Sequence, residues 1–452
     1  MARHGLPSGF RSRAFRRVWA GETVSMFGEQ VSVIALPLTA VLALHASAAS
    51  LGVLFACLFA PFLGLPLLMG VLVDRGGRRR WAVVANLGRS LLLGSVPVLW
   101  ILGRLTLVDL FVVALSMGVF AVMFETAYTA LVPSLVPSDQ LVAGNSLLMV
   151  SSSSAQTAGP GLGALLVEAI TAPIALFANA ASYLVSAVNL WRLPVSEPPA
   201  AVSPPDRSLR RELVAGLKAI FSNRYLRAIL AHAGAFNFFG QFFEVLIVLY
   251  VVVDLHLSVV TLGLVVGVSG VGAVLGSLLA SPAERRFPFG RLYLVSILVE
   301  GVGSLFVPLA RGSPTESALM VGTGLFLLGI GVAMSGVYAL TARQTLLPAE
   351  TLARGLSSYR TVTYGVIPLG ALAAGFLAGT AGVPETLLIG SVGMALAPAF
   401  IAASPLVHLR TLSSARKGTA KSCREGLTSQ TTGVPESLID FPSVADTVAS
   451  EP

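Results

Sequence analysis

Glu22, Glu29, Arg89, Glu125, Glu244, Glu300 and Arg360 each stand within a long apolar stretch of the chain. An ionisable group in such a place costs roughly 3 kcal/mol on insertion scales, so it marks chemistry by default. That chemistry is proton binding. Burial favours the neutral form of a carboxyl group and a nearby guanidinium favours the charged form, so moving one against the other switches proton affinity. Glu22 and Glu29 are seven residues apart, about two helical turns, and share a face. Glu29, being central, is the first choice for the coupling acid, Glu125 the second and Glu22 the third. Arg89 lies at a depth near that of Glu125 and is expected to hold it charged in one conformation. Glu300 takes the place of Arg89 in the second half of the chain, with opposite sign. A structural ion pair, or a side chain facing cavity water, is the plain alternative for each.

No other reaction chemistry is signalled. His4, His45, His232, His256 and His408 are scattered, and no G-x-x-x-x-G-K-[ST] phosphate loop occurs. Of the two cysteines, Cys57 lies in an apolar run and Cys423 in a polar tail, so neither a disulfide framework nor a cysteine metal site is indicated. No enzyme, cofactor or metal is expected.

The elements that must position these groups are membrane helices. Apolar residues make up 55% of the 452 residues and charged residues 12%, about half the share usual in a soluble domain. Mean hydropathy is +0.82. Apolar runs predict spans near residues 18–44, 51–73, 81–103, 107–131, 140–167 and 172–193. Six more follow near 226–254, 259–281, 291–310, 316–341, 352–378 and 384–407. Each is long enough to cross a ~30 Å hydrocarbon layer. The organisation is then a basic arm at 1–15, a six-helix bundle at 16–193, a polar linker at 194–222, a second bundle at 223–408 and a disordered tail at 409–452. Lysine and arginine crowd the arm, the 2–3 loop, the linker, the 8–9 and 10–11 loops and the tail. Only Arg104 and Arg311 sit at the opposite edge. That asymmetry predicts both termini in the cytoplasm. It also accounts for the net charge of +8 without nucleic acid, since no basic face interleaved with aromatics is present. The N-terminal segment is basic and polar, and the run after it is too long for a signal peptide.

The halves repeat. Leu135-Val136-Pro137-Ser138-Asp139-Gln140-Leu141 is echoed by Leu346-Leu347-Pro348-Ala349-Glu350-Thr351-Leu352. At the same offset Gly144, Ser146 and Gly159 match Gly355, Ser357 and Gly370. Glu284-Arg285 falls where Asp74-Arg75 should recur. Six spans repeated once is the layout of a transporter with two halves around a central cavity. Between spans two and three, Gly70, Asp74, Arg75, Gly77 and Arg78 are spaced as in the G-x-L-x-D-R-x-G-R-R loop. This resembles the major facilitator superfamily. The segments Trp19–Gln30, Phe124–Tyr128 with Leu131–Pro137, Asn237–Gln241 and Pro368–Leu372 resemble its macrolide-efflux and enterobactin-exporter-like branch.

The resemblance implies an all-α fold of twelve transmembrane helices in two six-helix repeats. It also implies an acid at the position of Glu29. Gly159, Pro160 and Gly163 match the end of a motif associated with antiport, and so imply an exporter; close helix packing is the alternative. Asp74 is expected near the start of span eleven, around Arg354–Ser357, with Arg75 and Arg78 bonding the same region as a latch of the outward-open state. Gln30, Tyr128, Asn145, Phe236, Asn237, Gln241, Tyr359 and Tyr364 are candidate cavity residues suited to an amphipathic solute. The expected protein is a monomeric carrier in the bacterial cell membrane, exporting a drug-like or secreted small molecule against protons. A proton-symport importer and a non-transporting sensor stand as alternatives.

Overall fold

A segment surrounded by hydrocarbon must satisfy its own backbone, so each apolar run forms a helix. The computed structural model describes residues 13–135, 141–193, 209–347 and 352–412, and among these no strand occurs. The first half comprises α1 (Arg13–Leu38), α2 (Ala48–Phe59), α3 (Leu65–Gly76), α4 (Arg78–Ile101), α5 (Leu107–Leu135), α6 (Leu141–Ile170) and α7 (Ala172–Trp191). A helix α8 (Leu209–Ser222) follows. The second half comprises α9 (Arg224–Leu249), α10 (Val259–Glu284), α11 (Phe289–Phe306), α12 (Pro314–Leu346), α13 (Leu352–Gly365), α14 (Ile367–Ala381), α15 (Val383–Leu396) and the single turn α16 (Ala399–Ala402). Among the described residues, ten helical segments are long and apolar enough to cross a membrane. The broken pair α2–α3 and the Ser-rich α6 complete an order of six segments before α8 and six after it.

The repeat is visible in backbone detail. α1 ends in a π turn at Thr39–Ala43 and α9 in one at Tyr250–Asp254. His45 and His256 then both take φ +52°, a left-handed conformation uncommon outside glycine. Ser47 and Ser258 follow, each capping the next helix through its hydroxyl. The segments Leu44-His45-Ala46-Ser47 and Leu255-His256-Leu257-Ser258 are thus the same reversal used twice.

Two spans are broken. Pro61 opens the 3-10 turn Ala60–Leu63 between α2 and α3, and Pro368 opens α14 after Gly365. Proline lacks the N–H that would continue the ladder. The breaks meet across the halves, where Phe62 stacks on Tyr364 at 5.8 Å.

The halves seal at the end away from the basic loops, through backbone contact. A Cβ on Gly52 would stand 2.9 Å from the Cα of Gly375, and one on Gly263 would stand 2.7 Å from the Pro160 carbonyl oxygen. Small residues permit such approach. The polar linker includes the helix α8, which packs against α13. The tail begins later than residue 409, because Phe289 and Gly290 donate backbone N–H bonds to the carbonyls of Arg410 and Leu409, and Leu412 is buried.

Candidate translocation site

The first half encloses a charged network built from four helices. α4 delivers Arg89, whose guanidinium lies between the rings of Phe124 on α5 and Tyr183 on α7, 4.3 Å from each centroid. Planar, weakly hydrated guanidinium suits this sandwich. Its Nη1 donates to Glu29 Oε1 on α1 at 3.1 Å, and the Tyr183 hydroxyl donates to the same oxygen at 3.2 Å. Nη2 donates to Asn86 Oδ1, Asn86 Nδ2 donates to Ser186 Oγ at 2.9 Å, and the Ser186 hydroxyl reaches Glu22 Oε2 at 3.5 Å. One chain of donors therefore runs from Glu29 to Glu22 through Arg89. α1 approaches α7 closely here because Gly28 stands where a Cβ would lie 2.1 Å from Ser182 Oγ.

Arg89 and Glu22 are buried, whereas 45% of the Glu29 side chain is exposed. Glu29 faces a cavity of about 260 Å³ whose walls include Leu54, Phe55, Leu58 and Phe59, and Glu244 of α9 lines the same space. A larger cavity of about 470 Å³ lies toward the basic end, lined by Phe62, Glu125, Arg360 and Tyr364 among others. There Arg360 of α13 pairs with Glu125 of α5, joining the two halves.

These contacts revise the expected pairing. Arg89 binds Glu29 rather than Glu125, and the partner of Glu125 is Arg360. Depth along a helix was legible, but the face that each helix turns to its neighbours was not. Glu300 does not join this network. It is buried in the second half, accepting from the Ser335 hydroxyl at 3.1 Å with His232 Nε2 at 3.6 Å, and it lines neither cavity.

In the loop motif, Gly77 takes φ +86° between α3 and α4, a turn that glycine makes without strain. Gly70, Asp74 and Arg75 fall in α3, but their side-chain environments lie outside the described set, as do those of Arg354, Ser357 and Asn145. Arg78, expected against span eleven, donates to the Ala130 carbonyl of α5 at 3.0 Å, within its own half. Gly159 and Gly163 both press α6 against α1, at Gln30 and at Val31 respectively. Gln30 thus serves that packing. Tyr128 stacks on Phe124 with its hydroxyl buried and unpaired. Gln241 is buried beside Gly370, and Tyr359 lies under the Arg343 guanidinium. Asn237 and Phe236 are half-buried on α9. Of the expected cavity residues, Tyr364 lines one of the two cavities described. Tyr183 and Asn86, which complete the Arg89 cage, carry no charge and gave no signal in the sequence.

Two bundles of membrane-length helices around a charged centre are the build of a multi-pass membrane transporter. Residues 18–371 match the Major Facilitator Superfamily, and the chain belongs to that family. It is 26% identical over 404 residues to the "Multidrug efflux pump Tap" of Mycolicibacterium fortuitum, covering 86% of this chain and 95% of that protein. It is 27% identical over 178 residues to YfiS, an uncharacterised transporter of the same superfamily from Bacillus subtilis strain 168; that match spans 41% of YfiS. Among solved structures, a point mutant of the nucleoside transporter NupG superposes with a TM-score of 0.71 at 15% identity, over 86% of this chain and 99% of that one. A bacterial homologue of the lysosomal transporter Spinster, inward-facing and unoccupied, superposes with a TM-score of 0.66 at 14% identity, over 88% and 97%.

Proposed function

We propose that this protein is a proton-coupled exporter of amphipathic, drug-like or secreted small molecules, working by alternating access as a monomer in the bacterial cell membrane with both termini cytoplasmic. The observation that carries the reading is the position of Glu29. On one side it holds Arg89 and Tyr183, and on the other it meets an apolar cavity. A proton arriving from that cavity neutralises Glu29 and weakens its hold on Arg89, so proton occupancy is coupled to the packing of α1 against α4. The small-residue contacts close the end opposite the basic loops, and the larger cavity lies toward the basic end. We read this as the state facing the cytoplasm. Asp74 and Arg75 then act in the opposite state, as part of a latch. The similarity to a protein named as a multidrug efflux pump favours export.

The test uses everted membrane vesicles acidified inside. Vesicles with the wild-type protein should accumulate an exported dye and lose luminal protons as they do so. Glu29→Gln should abolish the uphill step while leaving membrane insertion intact. Full uphill accumulation by Glu29→Gln removes that residue from the coupling role, and accumulation only in right-side-out cells makes the protein an importer.

A further inference from the structure

The cavity beside Glu29 contains a second acid, and among the described residues no ion pair balances its charge. Its wall includes two carboxylates, Glu29 and Glu244, and no Lys, Arg or His. Glu29 is matched by Arg89 at 3.1 Å. Arg89 is itself locked between two rings and bonded to Asn86, so it is not available to Glu244. Among the described residues no ion pair includes Glu244. The surrounding walls, Leu36, Leu54, Phe55, Leu58, Phe59 and Met117, are apolar or aromatic. With both acids ionised the cavity carries one uncompensated negative charge, on a Glu244 side chain exposed into a space whose walls are otherwise mostly apolar. A charge in such a place is stabilised by a partner that brings the opposite charge.

We propose that Glu244 is the solute-binding carboxylate of this transporter and that the solute is an amphipathic monocation: an ammonium, phosphonium or similar centre carried on an aromatic or aliphatic body. This rests on reading the cavity as the transport site. The cationic centre sits against Glu244 and the body packs on Phe55, Phe59 and the leucines, where aromatic faces add a favourable term. The two acids then divide the work by helix and by half. Glu29 on α1 takes the proton and Glu244 on α9 takes the cation. Proton and solute meet in one cavity from opposite bundles, so each adds or removes charge where the other binds. That arrangement makes their occupancies compete, as exchange requires.

Tetraphenylphosphonium and tetraphenylborate share shape and differ in sign, which makes them the probes. Binding of each to the purified full-length protein is measured by calorimetry, for wild type, Glu244→Gln and Glu244→Asp. The wild type should bind the cation and not the anion. Glu244→Gln should weaken cation binding about tenfold or more, as loss of a charge-assisted contact predicts, and Glu244→Asp should recover most of it. Recovery in the Asp variant also shows that the Gln variant failed by charge and not by misfolding. Equal cation affinity in wild type and Glu244→Gln overturns the assignment. So does wild-type binding of the anion in preference to the cation. Proton-driven flux of another solute, with no tetraphenylphosphonium binding, overturns the cation class while leaving the exporter reading in place. Absence of any flux overturns both.

Discussion

A single methyl group at Gly52 should shift this transporter between its two open states. Gly52 on α2 faces Gly375 on α14 at the end opposite the basic loops. A Cβ there would stand 2.6 Å from the Ala371 carbonyl oxygen and 2.9 Å from the Gly375 Cα. Ordinary contact begins near 3.4 Å, so the helices must part by about 0.5–0.8 Å. Both obstacles are backbone and cannot swing aside. Overpacking of this kind costs about 1–3 kcal/mol. The gain of about 0.5–1 kcal/mol from replacing glycine in a helix is present in both states and cancels. The cost falls only on the state in which α2 and α14 touch, so at ~2 kcal/mol Gly52→Ala depopulates that state about thirtyfold. The assay is electron–electron distance measurement between spin labels, in a background with Cys57 and Cys423 replaced by serine. Labels at Arg104 and Arg311 report the sealed end, and labels at Arg80 and Arg291 report the basic end. The first distance should lengthen and the second shorten. Gly379→Ala is the control, on the same helix as Gly375 but with nothing within 4 Å of its would-be Cβ. An unchanged distribution in Gly52→Ala, or an equal response in the control, would refute the argument.

Arg89→Lys keeps the charge but loses the planar fork and the ring sandwich, so transport should fall about tenfold or more while the thermal midpoint moves little; full activity would mean that charge alone matters there. Glu125 and Arg360 are each about half exposed, so exchanging them in Glu125→Arg/Arg360→Glu should alter unfolding stability by no more than ~1 kcal/mol. Either single reversal places like charges across the larger cavity and should slow transport, and the double exchange should restore it; a double variant as slow as the singles would remove the pair from the gating step. Asp74→Asn should abolish transport without lowering the amount of protein in the membrane, as a latch residue requires; retained flux would assign the loop a topological role only.

The features legible in the sequence were those that run along the chain. Apolar length located the spans because each had to reach across the same thickness, and charge clusters separated the two ends. What could not be read was rotation about each helix axis. Arg89 and Glu125 are expected at one depth, yet Phe124, the neighbour of Glu125, is the residue that turns toward Arg89, and Glu125 points across to α13. A step of one residue along a helix rotates the side chain by about 100°, and no pattern in a span this apolar fixes that angle. α8 was hidden for a different reason. The prolines at 198, 199, 204 and 205 dominate the reading of the linker as a polar connector, although Leu213, Leu217 and Ile220 follow at helical spacing and Ile220 is buried. The twin His45 and His256 reversals were present as the near-repeat L-H-x-S, four residues long and short enough to pass as chance.

The duplicated halves have come to hold charge in opposite ways. At the position that carries Arg89 in the first half, the second carries Glu300, and the surroundings follow the sign. Arg89 spreads its charge over two aromatic faces and hands it to an acid at the cavity wall, so the first half presents a titratable surface to whatever enters. Glu300 is enclosed by Ser335 and His232 and meets no cavity described here, so the second half holds its acid within the bundle. A proton reaching Glu29 needs only the cavity; one reaching Glu300 needs the bundle to open. The proposed coupling is therefore assigned to the first half on grounds of access. The second half is left to contribute what the first lacks in that shared space, a carboxylate with no arginine beside it. Glu244 is that group. In the proposed exchange, the asymmetry between two copies of one fold, rather than any single acid, is what would let a proton and a cation occupy one cavity by turns.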